Sequence, residues 1–258
     1  MEANLDPKLA VLIDAENVPY SNIKEMLAEI AKYGTPTFKR IYGDWTKPTA
    51  SGWKSVLLQN GITPIQQYSY TTGKNASDSA MIIDAMDILY TGKVEGFCLV
   101  SSDSDFTRLA TRLREAGMKV FGIGEKKTPV PFIAACDKFI YLEILKPIEL
   151  IPKTTVVQKK KSTAKSKKAV ESKENSISQV NRELIRVISD SINDLADENG
   201  WAFLGDLGNL ILKKQPDFDP RNYGFKKLVP LIKSFNQFEI DERESGKKNI
   251  TLVYVRTK

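Results

Sequence analysis

Acidic side chains stand at the ends of two strongly apolar runs. KLAVLID (8–14) ends on Asp14, inside IDAENVP, and GFCLVSS (96–102) leads into Asp103-Ser104-Asp105-Phe106. A third acid, Asp78, opens the stretch ASDSAMIIDAMDILY. Carboxylates brought together repel one another unless a hard cation offsets their charge, and Mg²⁺ or Mn²⁺ with oxygen ligands is the guest that suits them. An ion held this way acidifies a bound water and stabilises charge on an attacked phosphate, so phosphodiesters can be hydrolysed without an imidazole. The chain contains no histidine, which excludes Ser-His-Asp and Cys-His nucleophilic catalysis, HExxH metalloproteases and Cys2His2 fingers. Cys98 and Cys136 lie in apolar surroundings without CxxC spacing and read as free core thiols. An aspartate ahead of a helix is also a favourable N-cap, which is the competing reading of the Asp-Ser-Asp. Asp14 caps no obvious helix, and a charge beside a buried apolar run costs free energy without a partner.

The elements that must position these acids alternate in type. Short β-branched runs at 8–14, 35–42, 62–67, 96–102 and 118–124 are separated by helical patterns near 20–33, 51–60, 76–90 and 105–116. That alternation predicts an α/β unit with a parallel sheet flanked by helices. Ala10–Ile13 and Phe97–Val100 are continuously apolar, as strands covered on both faces are. Ligands of such sheets bind beyond the carboxyl ends of the strands, which places Asp14, Asp103 and Asp105 on one rim. In the third helix Met81, Ile82, Ala85, Met86 and Leu89 fall on the core face, and Asp78 in the first turn points back over the rim. Asp84 and Asp87 are rotated away from Asp78 by about 240° and 180°, so Asp87 is expected to face solvent, while an approach of Asp84 to the cleft stays open. Asp44 of GDW either lies near the site or caps the turn before Trp45.

The 258 residues, 41% hydrophobic and 27% charged, suffice for two ordinary domains. The net charge of +6 is unevenly placed: −1 over 1–150, +6 over 151–175 and +1 over 176–258. The basic stretch IPKTTVVQKKKSTAKSKKAVESKEN lacks apolar periodicity and reads as a disordered, lysine-rich linker, either a solubilising spacer or a non-specific phosphate binder. No window approaches the roughly 18 apolar residues of a membrane span, and MEANLDPKLA lacks the layout of a secretory signal. A cytoplasmic protein without a membrane partner is expected.

Beyond the linker, Val180, Leu184, Val187, Ile188, Ile192 and Leu195 recur at helical spacing up to Gly200. A second helix is predicted at 204–213, then two more, then a hairpin pairing Phe238–Ile240 with 250–254. Helices followed by a β-wing describe a small winged helix.

IDAENVPYSNI, RIYGDW (40–45), GKNASDSAMIIDAMDILY (73–90) and FCLVSSDSDFTRLATRLREAGMKVFGIG (97–124) together resemble the NYN domain, a branch of the PIN-like ribonuclease superfamily, over about 8–143. The resemblance implies a PIN-like fold whose catalytic, metal-binding acids are Asp14, Asp78, Asp103 and Asp105, with Asn17 at the polar position of the first loop. It implies RNA cleavage with Mg²⁺ or Mn²⁺ that leaves a 5′-phosphate and a 3′-hydroxyl. Ser102 stands where many similar domains carry glycine. The pattern Trp201, Leu204, Leu207, Gly208, Pro216, Phe218, Tyr223, Gly224, Lys227, Leu228 resembles the LOTUS (OST-HTH) domain over about 178–256. That resemblance implies a module that binds RNA, including G-rich or quadruplex forms, or a helicase partner.

The expected division is therefore 1–150 nuclease domain, 151–175 linker and 176–258 winged-helix domain. Candidate phosphate contacts are Arg40, Lys74, Arg108 and Arg112 in the first and Lys213, Lys214, Arg221, Lys226 and Lys227 in the last. Tyr42, Trp45 and Trp53 are candidates for stacking on unpaired bases. A metal-dependent RNA endonuclease is the leading reading, and a catalytically inactive RNA- or protein-binding adaptor is the alternative.

Overall fold

A computed structural model of the chain describes residues 6–47, 52–68, 76–145, 182–244 and 251–258. Two compact units are present and are taken separately. In the N-terminal unit the order is β1 (Lys8–Asp14), α1 (Ile23–Ile30), β2 (Thr35–Gly43), α2 (Trp53–Asn60), β3 (Thr63–Gln66) and α3 (Ala76–Tyr90). There follow β4 (Gly96–Val100), a 3₁₀ turn (Ser104–Phe106), α4 (Thr107–Glu115), β5 (Lys119–Gly124), α5 (Val130–Ala135) and β6 (Lys138–Tyr141). The strands form one sheet in the order β3-β2-β1-β4-β5-β6, and every neighbouring pair is parallel.

That order reverses direction between β1 and β4, and the crevice outside the carboxyl ends of those two strands is where doubly wound sheets bind ligands. Alternation within the two strands explains their uniform apolarity. Ala10, Leu12, Phe97 and Leu99 pack on one face with Met81, Ala85 and Ile88 of α3 and Leu109 and Leu113 of α4. Leu9, Val11, Ile13, Cys98 and Val100 pack on the other with Ile23, Met26 and Ile30 of α1 and Trp53 and Leu57 of α2. Both cysteines are free and buried, and burial pushes the Cys136 thiol up to about 12, which makes it inert.

The five predicted strands are present, and a sixth, β6, extends the sheet edge. Gly122 in β5 admits that strand: a Cβ there would run into the Phe139 ring and the Cys136 sulfur.

In the C-terminal unit a helix over 182–195, here α6, buries Leu184, Ile188 and Ile192, whereas Val187 is half-buried and Leu195 is exposed. The chain turns at Gly200 with φ +79° and enters β7 (Ala202–Phe203) and α7 (Leu204–Lys214). Residues 215–222, which include most of a 3₁₀ turn (Pro220–Tyr223), cluster with the N-terminal unit; Gly224, with a φ of +83°, then makes a left-handed turn ahead of α8 (Leu228–Lys233). β8 (Phe238–Glu244) and β9 (Thr251–Thr257) close an antiparallel sheet in the order β7-β9-β8. Its register differs from the predicted one: Phe238 faces Thr257 and Ile240 faces Val255, while Tyr254 pairs with Asp241. The longer pairing puts Phe238 and Val255 into the core. Residues 151–175, predicted to be linker, lie outside the described residues. Among the described residues no helix is long and apolar enough to cross a membrane.

Candidate metal centre

Asp78, Asp103 and Asp105 each present a carboxylate oxygen within 4.8 Å of the other two. The positioning follows from the chain. Asp78 sits in the first turn of α3, where the turn's unpaired N–H groups favour an anion. Asp103 follows β4 and caps the 3₁₀ turn, accepting the Asp105 backbone N–H at 2.9 Å. The cap and the ligand set are therefore the same residues, since one Asp103 oxygen ties the turn that carries Asp105.

Asp14 ends β1 and is 2% exposed. It stands outside the converging trio, with its oxygens engaged by neutral donors: the Glu16 N–H at 3.0 Å, Asn17 Nδ2 at 2.6 Å and Ser101 Oγ at 2.8 Å. Burial raises the Asp14 carboxyl, and these hydrogen bonds pull it partly back. Ser101, fully buried, also accepts the Asp103 N–H at 3.1 Å, so a single hydroxyl links the ends of β1 and β4. Sequence reading assigned Ser101 no role; its place between an apolar strand and the Asp-Ser-Asp was the available signal. Ser102 Oγ accepts the Glu125 N–H at 2.8 Å, which gives the serine at that position its own tie to the end of β5.

Asp78 carries the electrostatic consequence. Partial burial, then the charges of Asp14, Asp103, Asp105 and Glu16, push its carboxyl up to about 6. Excess negative charge of this kind is what a divalent cation relieves. In an octahedral Mg²⁺ site with metal–oxygen distances of about 2.1 Å, neighbouring oxygens lie about 3.0 Å apart and opposite ones about 4.2 Å, so an all-oxygen trio within 4.8 Å holds such an ion once the carboxylates draw in around it.

The remaining candidates divide by their partners. Asp84 is turned away from the trio and pairs with Arg40 and the Tyr42 hydroxyl of β2, so Arg40 is engaged in an ion pair and also lies over the Phe38 ring. Asp87 is exposed. Tyr42 and Trp53 are buried, the latter edge-on to Tyr20, and Trp45 is partly buried against the core. Asp44 caps its own turn, accepting from the Thr46 N–H and hydroxyl and from Gln66 Nε2. Arg108 is exposed and meets Glu115 at 3.4 Å; Arg112 is half-exposed; Lys74 lies outside the described residues. Lys214 is taken up by Ser191 and Asp194, and Arg221 by Asp219, while Lys213, Lys226 and Lys227 are exposed.

The NYN domain matches residues 8–143, and the OST-HTH/LOTUS domain matches residues 175–250. A protein of unknown function from Vibrio parahaemolyticus, known as a crystal structure, is 21% identical, covering 54% of this chain and 94% of its own with a TM-score of 0.46. An uncharacterised protein from Nitrosomonas europaea, known as a solution NMR structure, is 27% identical over 44% of this chain and 91% of its own, with a TM-score of 0.26. Neither superposition bears on activity. No curated protein matches the chain. With the family matched along the whole parallel sheet, the chain belongs to the NYN domain family of PIN-like nucleases and carries an OST-HTH/LOTUS domain after it.

Proposed function

We propose that this protein is a divalent-metal-dependent RNA endonuclease whose ion, Mg²⁺ or Mn²⁺, is held by Asp78, Asp103 and Asp105. The observation that carries the reading is the convergence of three carboxylate oxygens within 4.8 Å at the rim of the sheet. When bound, the ion acidifies a water and offsets charge on the attacked phosphate. The chain's own part is to hold the acids in place. Ser101 and the Asp103 cap fix the loop after β4, and Asp14, with Asn17 donating to it, serves the same centre as the buried negative charge behind Asp78. Water adds to phosphorus and gives up a proton to solvent, the P–O3′ bond breaks, and the 3′ oxygen takes up a proton from solvent, leaving a 5′-phosphate and a 3′-hydroxyl.

The second domain is assigned RNA capture. Its exposed Lys213, Lys226 and Lys227, and Arg108 and Arg112 of the first domain, are proposed phosphate contacts. Covalent linkage makes delivery of captured RNA to the acidic centre intramolecular. The reading is tested with end-labelled single-stranded and structured RNAs in Mg²⁺, Mn²⁺ or EDTA, using wild type and Asp103→Asn. Cutting that needs the metal, yields 5′-phosphate ends and disappears in the variant supports it. RNA binding without cutting would favour the adaptor reading, and cutting retained by the variant would expose a contaminating nuclease.

A further inference from the structure

A groove of about 380 Å³ lies at the carboxyl ends of β1 and β2, next to the acidic centre but distinct from it. Its apolar lining is Ala15, Gly43 and the two indoles Trp45 and Trp53; its polar lining is Glu16, Asp44 and Lys47. Ala15 directly follows Asp14, and its N–H bonds the Tyr42 carbonyl at 3.0 Å, which ties the groove to the strand end that carries the acid. The charge of Glu16 is felt by both Asp14 and Asp78.

The lining is held in place before any ligand arrives. Trp45 donates its indole N–H to the Ile65 carbonyl at 2.9 Å and its backbone N–H to Gln66 Oε1 at 2.9 Å, so the partly buried ring, which also packs on the core, has a fixed orientation. Asp44 is oriented by the Thr46 hydroxyl at 2.6 Å and by Gln66 Nε2 at 3.0 Å. Lys47 is neutralised by Glu16 at 3.0 Å, which leaves the groove with a net negative lining. A phosphate is disfavoured in such a place. A flat aromatic group whose edge carries N–H donors is favoured, because a fixed indole offers a face to stack on and carboxylates only accept.

We propose that this groove is a base subsite beside the metal centre, taking an unpaired nucleobase with an exocyclic amino group, that is adenine, cytosine or guanine, in preference to uracil. It rests on the reading of the centre as an RNA nuclease. Trp45 supplies the stacking face, and Asp44 and Glu16 accept from the amino group.

The test is fluorescence anisotropy of labelled hexa-adenylate, hexacytidylate and hexauridylate on the full-length protein in EDTA, where the proposed hydrolysis does not run. Wild type is expected to bind the adenylate and cytidylate several-fold tighter than the uridylate. Trp45→Ala should weaken the two tighter ligands about tenfold, as loss of one base–indole stack does, while Trp45→Phe keeps them. Asp44→Asn and Glu16→Gln, the latter at an exposed position that does not threaten folding, should narrow the preference over uridylate. Equal affinity of wild type for the three oligomers, or Trp45→Ala, Asp44→Asn and Glu16→Gln each binding as wild type does, overturns the subsite. Metal-dependent cleavage measured in parallel separates the two claims. Cleavage without base preference refutes the groove and leaves the nuclease, whereas preference without cleavage refutes the nuclease and leaves the groove.

Discussion

Asp78 carries the conflict on which the site depends. Its carboxyl, raised to about 6 against 3.8 for a free aspartate, is stabler protonated in the fold than in the unfolded chain. Its ionisation therefore opposes folding fully above about pH 6, and the penalty fades as pH falls toward 4. Discounted for partial solvent exposure, the penalty is about 1–2 kcal/mol. Asp78→Asn should accordingly raise the melting temperature of the metal-free protein at pH 7.5 by about 2–6 °C and have a much smaller effect near pH 4.5, while lowering RNA cleavage more than about 100-fold. A variant that melts lower at pH 7.5 would contradict the assignment. Ser101→Ala removes a donor from buried Asp14 and an acceptor from the Asp103 N–H; a drop of about 10–100-fold in metal affinity is expected by calorimetric titration. The three converging acids were readable because each follows a strand end or opens a helix. That Asp14 is held by Ser101, and stands apart from the trio, was not readable, because that partner lies 87 residues along the chain.

The strands and helices that position these residues were read from periodicity, and the misses have local causes. α5 and β6 are only six and four residues long, too short for either period to register. The hairpin register was misjudged because β8 continues as Asp241-Glu242-Arg243-Glu244, a charged run that sequence reads as loop but that pairs along Tyr254–Thr251. Helix geometry rotates Asp84 away from Asp78 and leaves its approach to the cleft open; its partners Arg40 and Tyr42 come from β2 and decide its direction. Removing Arg40 leaves Asp84 a half-buried charge with only the phenol for support, so Arg40→Ala is expected to cost about 2 kcal/mol in urea unfolding while sparing cleavage of a short single-stranded RNA. A large loss of cleavage with unchanged stability would instead mark Arg40 as a substrate contact.

Across the whole chain, the two domains divide chemistry from capture in the proposed function. The C-terminal residues 176–258 carry a net charge of only +1, so electrostatic attraction of RNA has to come from a few exposed lysines and from the basic stretch before them. Replacing Lys213, Lys226 and Lys227 together by glutamine in the full chain should lower the slope of log affinity against log salt by about 2–3 for structured RNA, with short-oligomer cleavage preserved. An unchanged slope would remove these lysines from the RNA-binding surface.

Titration of the intact protein with Mn²⁺, followed by calorimetry at pH 7.5, tests most directly whether Asp78, Asp103 and Asp105 make one cation site. A saturable site is expected in wild type, weakened more than about 100-fold in Asp103→Asn, and weakened in wild type itself as pH falls through about 6. Absence of saturable binding in wild type, or equal affinity in wild type and Asp103→Asn, would contradict it.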